Sequence, residues 1–389
     1  MAFILSDQNQ QVLADMQQFV REQVLPNAGS WDQKESMDRS VINTLAEKGW
    51  LGALAPVEFG GSQMDPLLWG HFCETIGGAS SSLLGLPTVH GMVIQSLARW
   101  GSDEQKAKTL PGLSTGEMLG AFALTEPEYG SDAGNIQMQA VRKGDTFCLS
   151  GRKQWITYGQ IANIFIVVAR LEDKPTAFIV PRETDGLNVE PVKNMLGFRA
   201  AELANLVLTD CEIPADAMLG QPGFGFSHVA GTALDHGRFC IAWGCVGLAQ
   251  GALDASVAHA LEREQFGKAI SEHQLIQELL ADMMVGTRAA RGLCEQAAEL
   301  KREGDPRVIM ETSIAKYFAS THAAKVSRDA VQILGGRGCS NNSDVERFFR
   351  DAKVMEIIEG SSQIQQLIIS RHGIMQFRKD RRLREKIKT

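Results

Sequence analysis

The stretch "DTFCLSGRKQWIT", residues 145–157, decides the fold class. It is a short β-prone run, and three more follow it: "IFIVVARL" (164–171), "TAFIVPR" (176–182) and "ANLVLTDCEIP" (204–214). β-Branched and aromatic residues set between Gly, Asp and Pro read as strands, so a β domain spans about Gly120 to Phe226. On both sides the period changes from two to that of a helix. "DQNQQVLADMQQFVREQVLP" (7–26) puts Val12, Met16, Phe19 and Val20 on one face and stops at Pro26. "MVIQSLARWGSDEQKAKTLPGL" (92–113) reads as two short helices broken by Gly101 and Pro111. Beyond Phe226, long helical periodicity runs through 244–264, 273–300 and 313–336.

Helices, then strands, then helices make an α+β chain. The expected units are an N-terminal helical domain over 1–118, a middle β domain over 119–226, a C-terminal helical domain over 227–377 and a basic tail over 378–389.

Composition narrows the function classes. The chain has 389 residues, is 44% hydrophobic and 22% charged, and carries a net charge of −7, which gives no global attraction to nucleic acid. Seven cysteines are scattered without a C-x-x-C pair, which argues for reduced thiols and a cytoplasmic setting. The eight histidines contain no H-x-x-x-H pair, so no metal site is expected. Apolar runs such as "IANIFIVVA" are far shorter than the ~20 residues a membrane span needs. Asp7, Gln8 and Gln10 interrupt any signal-peptide core.

Four motifs can carry chemistry. "LTEPEYGSDAG" (124–134) offers hydroxyls and backbone N–H groups that suit a phosphate or a polar heterocycle, and an ordinary turn-rich loop has the same composition. In "QWITYG" (154–159), Trp155 and Thr157 fall on one face of a strand. There an indole can cover an aromatic ring beside a hydroxyl donor, or simply fill a sandwich core. "LGGRG" (334–338) closes a long helix; its glycines form a C-cap or let a backbone approach a diphosphate. "VMEIIEGSSQIQ" (354–365) sets Glu359 against Ile357 and Ile358, and Ser362 and Gln365 have capping-box spacing. Glu359 therefore lies in a loop entering a helix, where it is either a surface acid or a functional one.

These pieces, with "LAEKGWLGALAPVEFGG", "LDHGR", "EREQFGK" and "DAVQILGGRG", resemble the acyl-CoA dehydrogenase family in order and spacing over essentially the whole chain. The resemblance implies a middle β domain between an N-terminal helical domain and a C-terminal four-helix bundle. It also implies FAD, a homotetramer built as a dimer of dimers, and a site completed by a neighbouring subunit. Thr125, Ser131, Trp155 and Thr157 would contact the flavin or its diphosphate. Arg263, Phe266, Gln274, Gln332, Gly335 and Gly336 would hold FAD across the dimer, and Ser361 and Gln363 would touch it after the base. Asp235, Arg238, Gly360 and Ser131 would meet the acyl thioester. Glu359 would be the catalytic base that removes the α-proton before hydride leaves the β-carbon. Some relatives place the base just before the "LDHGR" arginine, where this chain has Gly237, so the resemblance selects Glu359.

Ile358, Tyr158 and "AELA" (201–204) depart from the common family pattern. The thioester is then carried either by CoA or, as in polyketide and peptide pathways, by an acyl carrier protein. A flavoprotein or oxygen would accept the electrons. A non-catalytic flavin-binding assembly subunit is the remaining class. The tail has seven basic and two acidic residues, a net of +5 that leaves −12 on the preceding chain. Its ordinary reading is a solvated, partly disordered tail, and its sharper one a strip for an acidic carrier protein; nucleic acid fits less well, because aromatics are not interleaved.

Overall fold

Ser6 accepts a hydrogen bond from the Asn9 amide and starts α1 (Asp7–Phe19). A π-helical turn, Val20–Val24, carries that helix to the stop at Pro26. A computed structural model describes residues 5–387, without the side chains of 380 and 382–387. The helices α2 (Ala28–Lys34), α3 (Arg39–Glu47), α4 (Pro66–Ala79), α5 (Ser81–Trp100) and α6 (Asp103–Thr115) complete the first unit. Gly101 ends α5 as expected, but Pro111 lies inside α6 and does not break it. A proline removes one helical hydrogen bond, and α6 recovers the loss by burying Leu110 and Leu113 against the core.

The middle unit is an eight-stranded mixed sheet. Its strands are β1 (Gly120–Ala123), β2 (Gln139–Lys143), β3 (Thr146–Ile156), β4 (Ile164–Leu171), β5 (Lys174–Pro181), β6 (Leu187–Pro191), β7 (Ala204–Pro214) and β8 (Met218–Leu219). They lie in the order β6-β7-β3-β2-β4-β5-β8, with β1 parallel to β4 on its own branch. The four runs read as strands from sequence are β3, β4, β5 and β7. Phe147, Leu149, Phe165, Phe178, Leu206 and Leu208 form a core of their own inside the sheet.

A second π-helical turn, Gly225–Ala230, leads into α7 (Gly231–Glu262), the axis of the third unit. A small hairpin follows, β9 (Glu264–Gln265) and β10 (Lys268–Ala269). Next come α8 (Gln274–Glu303), α9 (Val308–Leu334), α10 (Asp344–Met355) and α11 (Ser362–Ile387). Residues 225–262 are long and apolar enough to cross a membrane, yet 72% of the apolar window is buried within the protein, as befits a core helix. Helix α4 packs so closely on α7 that a Cβ at Gly247 would stand 1.9 Å from the Glu74 carbonyl oxygen. The basic tail is not separate: its residues 378–387 continue α11, and residues 388–389 lie outside the described residues.

One polar patch rivets the three units together. Arg350 of α10 reaches Asp32 of α2 through Nη1–Oδ1 at 3.1 Å and Nη2–Oδ2 at 2.6 Å. The same guanidinium donates to the Leu196 carbonyl and to Glu346. Asp351, 1% exposed, accepts the Phe198 amide at 2.8 Å, and Glu35 takes Arg199 at 2.6 Å. Removing one partner of a buried pair strands the other charge. Arg350→Ala is therefore expected to cost about 3 kcal/mol or more, read as a lowered thermal midpoint. An unchanged midpoint would mean that the patch contributes nothing net.

Candidate active site

Helix α10 ends in a turn that the Val354 carbonyl closes by accepting from the Ile357 and Ile358 amides at 2.9 and 3.1 Å. The next two residues are both left-handed, Glu359 with φ 55° and Gly360 with φ 89°. For glycine this costs little; for a glutamate it is strain that the surroundings must hold in place. Three helices supply the hold. Arg238 Nε of α7 donates to the Glu359 carbonyl at 3.3 Å, and Lys316 Nζ of α9 donates to the Gly360 carbonyl at 2.9 Å. Gln365 Nε2 of α11 donates to both carbonyls at 3.2 Å.

That last contact corrects the capping box expected at Ser362 and Gln365. Ser362 is already the first helical residue, and Ser361 Oγ accepts the Ile364 amide at 3.4 Å. The Gln365 side chain is spent on the turn instead.

The Glu359 carboxylate itself is treated differently from its backbone. Its Oε2 is buried without a hydrogen-bond partner. It presses on α7 so closely that a Cβ at Gly237 would lie 2.2 Å from Oε2 and 2.5 Å from Cδ. Burial pushes this carboxyl up to about 7, against the pull of Arg238 and Lys316. A carboxylate poised near neutrality with a buried, unpartnered oxygen suits a general base. One turn earlier on α7, Asp235 has a second buried orphan, Oδ1, while its Oδ2 lies 3.5 Å from Lys301 Nζ.

The β domain contributes a second group of candidate residues. The Thr125 carbonyl accepts the Gln154 amide at 2.9 Å, which ties the 124–134 loop to the end of β3. Beneath it is a pair that sequence reasoning missed. Lys153, wholly buried, donates to Glu126 at 2.8 Å and to the Leu124 carbonyl at 2.9 Å. Glu126 also accepts the Gln137 and Met138 amides at 2.6 and 3.0 Å, so both ends of the loop hang on one carboxylate. Burial pulls the Lys153 ammonium down to about 8.

Trp155 and Thr157 do not share a strand face as expected. A bulge separates Lys153 from Ile156 in the β3–β7 register, Trp155 has φ 57°, and β3 ends at Ile156. The bulge turns Trp155 outward, leaving its indole 51% exposed, and Thr157 follows in the turn against Gly85 of α5. Tyr158 anchors that turn by donating to the Ser82 carbonyl at 2.8 Å.

The remaining candidates lie elsewhere. Arg263 caps the far end of α7, 25 residues beyond Arg238 and so about 37 Å along the helix. Phe266, at the tip of the β9–β10 hairpin, is 95% exposed, and Gln274 begins α8. Gln332 ends α9, and Gly335 caps it with φ 61° and nothing near its Cβ direction; Gly336 is equally open. His259 is lowered first by desolvation and then by the nearby charges of Arg337 and Arg263, which puts the α7 and α9 termini at one end of the bundle. Ser361 and Gln363 stay beside Glu359 at the other end.

The uncovered Trp155 indole, the Thr125 segment tied to the end of β3 and the exposed Ser131 are groups whose chemistry fits a flavin. Among the described residues no three His, Cys, Asp or Glu side chains converge as metal ligands.

Comparison with known proteins agrees with this geometry. The chain matches the acyl-CoA dehydrogenase N-terminal domain over 6–117, the middle domain over 121–211 and the C-terminal domain over 223–374. It is 39% identical to the probable acyl-CoA dehydrogenase YngJ of Bacillus subtilis, over 95% of this chain and 99% of the relative. Butyryl-CoA dehydrogenase from Megasphaera elsdenii superposes with a TM-score of 0.92 at 34% identity, covering 96% and 100% of the two chains. A chain solved in work on the electron transferring flavoprotein of Acidaminococcus fermentans gives 0.91 at 34% identity, covering 96% and 99%. The protein belongs to the acyl-CoA dehydrogenase family, as an FAD-dependent oxidoreductase acting on the CH–CH bond of acyl-CoA.

Proposed function

We propose that Glu359 removes the α-proton of a short-chain acyl-CoA. The observation that carries this reading is the buried, unpartnered Oε2 held against Gly237. The α-proton passes to that oxygen, the Cα–H electron pair becomes the Cα–Cβ double bond, and hydride leaves Cβ. FAD supplies the acceptor for that hydride. Ile358 packs against the core beside the carboxylate, whereas Ile357 is 57% exposed and gives it no shelter, and the α7 side presents the Asp235 orphan oxygen to an amide N–H of the carrier arm. Likeness to a butyryl-CoA enzyme supports a short acyl chain, and likeness to a chain from electron-transferring-flavoprotein work supports such a flavoprotein as acceptor.

The reading includes a second copy of the chain. Arg238, beside the proposed base, and Arg263, a candidate FAD residue, lie about 37 Å apart along α7, too far for one molecule of FAD within one subunit to reach both. A neighbour that brings its Arg263, Phe266 and Gly335 end to this subunit's Trp155 completes the site, as a dimer or a dimer of dimers. The exposed apolar side chains of Phe266, Leu275 and Val285 at that end suit such an interface. Light scattering should therefore give an oligomer, and a monomer that keeps FAD and turns over would refute this part.

Glu359→Gln should retain bound FAD and butyryl-CoA binding, yet slow stopped-flow flavin reduction by a factor on the order of 10² to 10⁴. Because the base works ionised and its carboxyl stands at about 7, kcat/KM should fall as pH drops through that value and level off above it. Equal rates in wild type and variant would leave Glu359 a loop acid.

Gly237 gives a separate check. Gly237→Ala puts a methyl where Oε2 now lies, so it should displace the carboxylate and slow reduction at least tenfold (about 1.4 kcal/mol) with FAD content unchanged. For the same reason, moving the base with Gly237→Glu requires Glu359→Gly, not Glu359→Gln. Wild-type rates in Gly237→Ala would show that the carboxylate does not work from this position.

A further inference from the structure

Lys316 is a buried cation that the proposed chemistry does not use. It is 0% exposed on α9, and its Nζ donates to the Gly360 carbonyl at 2.9 Å. A neutral donor would satisfy that carbonyl equally well, whereas an ammonium in the core carries a heavy desolvation cost. The retained charge therefore needs an acid to face. From α7 it is faced by Cys245 and Arg238, and from the turn by Glu356 and Glu359. The Glu359 carboxylate is faced in addition by His236 and Cys240 of α7. Glu356 is already paired, with Lys353 Nζ at 3.0 Å. Glu359 is the carboxylate there without an ion pair, and its Oε2 has no donor at all.

We propose that Lys316 is a positioning residue for Glu359: it fixes the left-handed turn through Gly360 and supplies the positive charge that lets a desolvated carboxylate ionise. The proposal rests on Glu359 acting as the base. Lys316 does this without touching the reacting atoms. Its hydrogen bond goes to the backbone, so the carboxylate gains the field of the charge and keeps its lone pairs free. Arg238 has the same arrangement from α7, with its Nε on the neighbouring carbonyl. Two cations thus flank the acid, each tied to a peptide oxygen and neither occupying the oxygen that meets substrate.

The test uses the FAD-loaded oligomer with Lys316→Gln, which keeps a donor for Gly360 but not the charge, and Lys316→Met, which keeps neither. An infrared titration of the buried carboxyl, assigned by its disappearance in Glu359→Gln, reads ionisation without turnover. Loss of the charge should move its midpoint upward by about one unit in both variants. The acidic limb of kcat/KM should move with it, so that at about pH 6 the variants fall roughly tenfold below wild type and recover at alkaline pH. An unmoved midpoint in a variant that still binds FAD would overturn the proposal. So would loss of FAD or of the native melting transition in Lys316→Gln, because Lys316 would then be a folding residue. If instead Glu359→Gln reduces flavin normally, the base assignment fails, and the infrared midpoint still decides the part played by Lys316.

Discussion

A carboxylate taken out of water without a hydrogen-bond donor strongly prefers to be neutral, and the base proposed at Glu359 would have to ionise against that preference. Much of the architecture around it answers that single conflict. The turn is strained into left-handed backbone so that the side chain projects onto α7, and three helices contribute donors to the turn's carbonyls. Those donors could have gone to the carboxylate and did not. A hydrogen-bonded carboxylate would be a weaker base, and spending the donors on the backbone holds the turn while leaving Oε2 without a donor.

The β domain solves a related problem with the same kind of device. Its loop 124–134 carries the hydroxyls and amides proposed to meet a ligand, on a backbone without regular secondary structure over most of its length. Glu126 and Lys153 give it a foundation: one buried pair takes the amides of Gln137 and Met138 and the Leu124 carbonyl at once. The exposed face of the loop is thus set by charges that never see solvent. The patch of Asp32, Arg350 and Asp351 then keeps the β unit in fixed relation to the bundle that carries Glu359.

The fold was largely legible in the sequence because its signals are periodic and repeated. Four strand runs and three long helices announced themselves through side-chain alternation. What escaped was local and paid no attention to period. Pro111 sits within a helix because burial of its neighbours outweighs one hydrogen bond. Trp155 and Thr157 look paired by strand spacing, but a bulge absent from any composition rule separates them. Glu359 is singled out through a resemblance, whereas Lys316, Glu126 and Lys153 are not, since each acts on a backbone group that no motif names; Gln365 stands in a capping-box pattern, and its side chain serves the turn instead. Lys153 alone left a trace: it continues the inward parity of Phe147 and Leu149, an odd place for a lysine.

The contact between Glu359 and Gly237 also constrains how such a chain can change over time. Any side chain at 237 would compete with the Glu359 carboxylate, since its Cβ would stand 2.2 Å from Oε2. Transferring the base from the turn to α7 takes two substitutions, and neither order is smooth. Adding the new acid first drives two carboxylates into the same space, while deleting the old one first leaves no base. With the base proposed on the turn, glycine at 237 is the residue that leaves room for it.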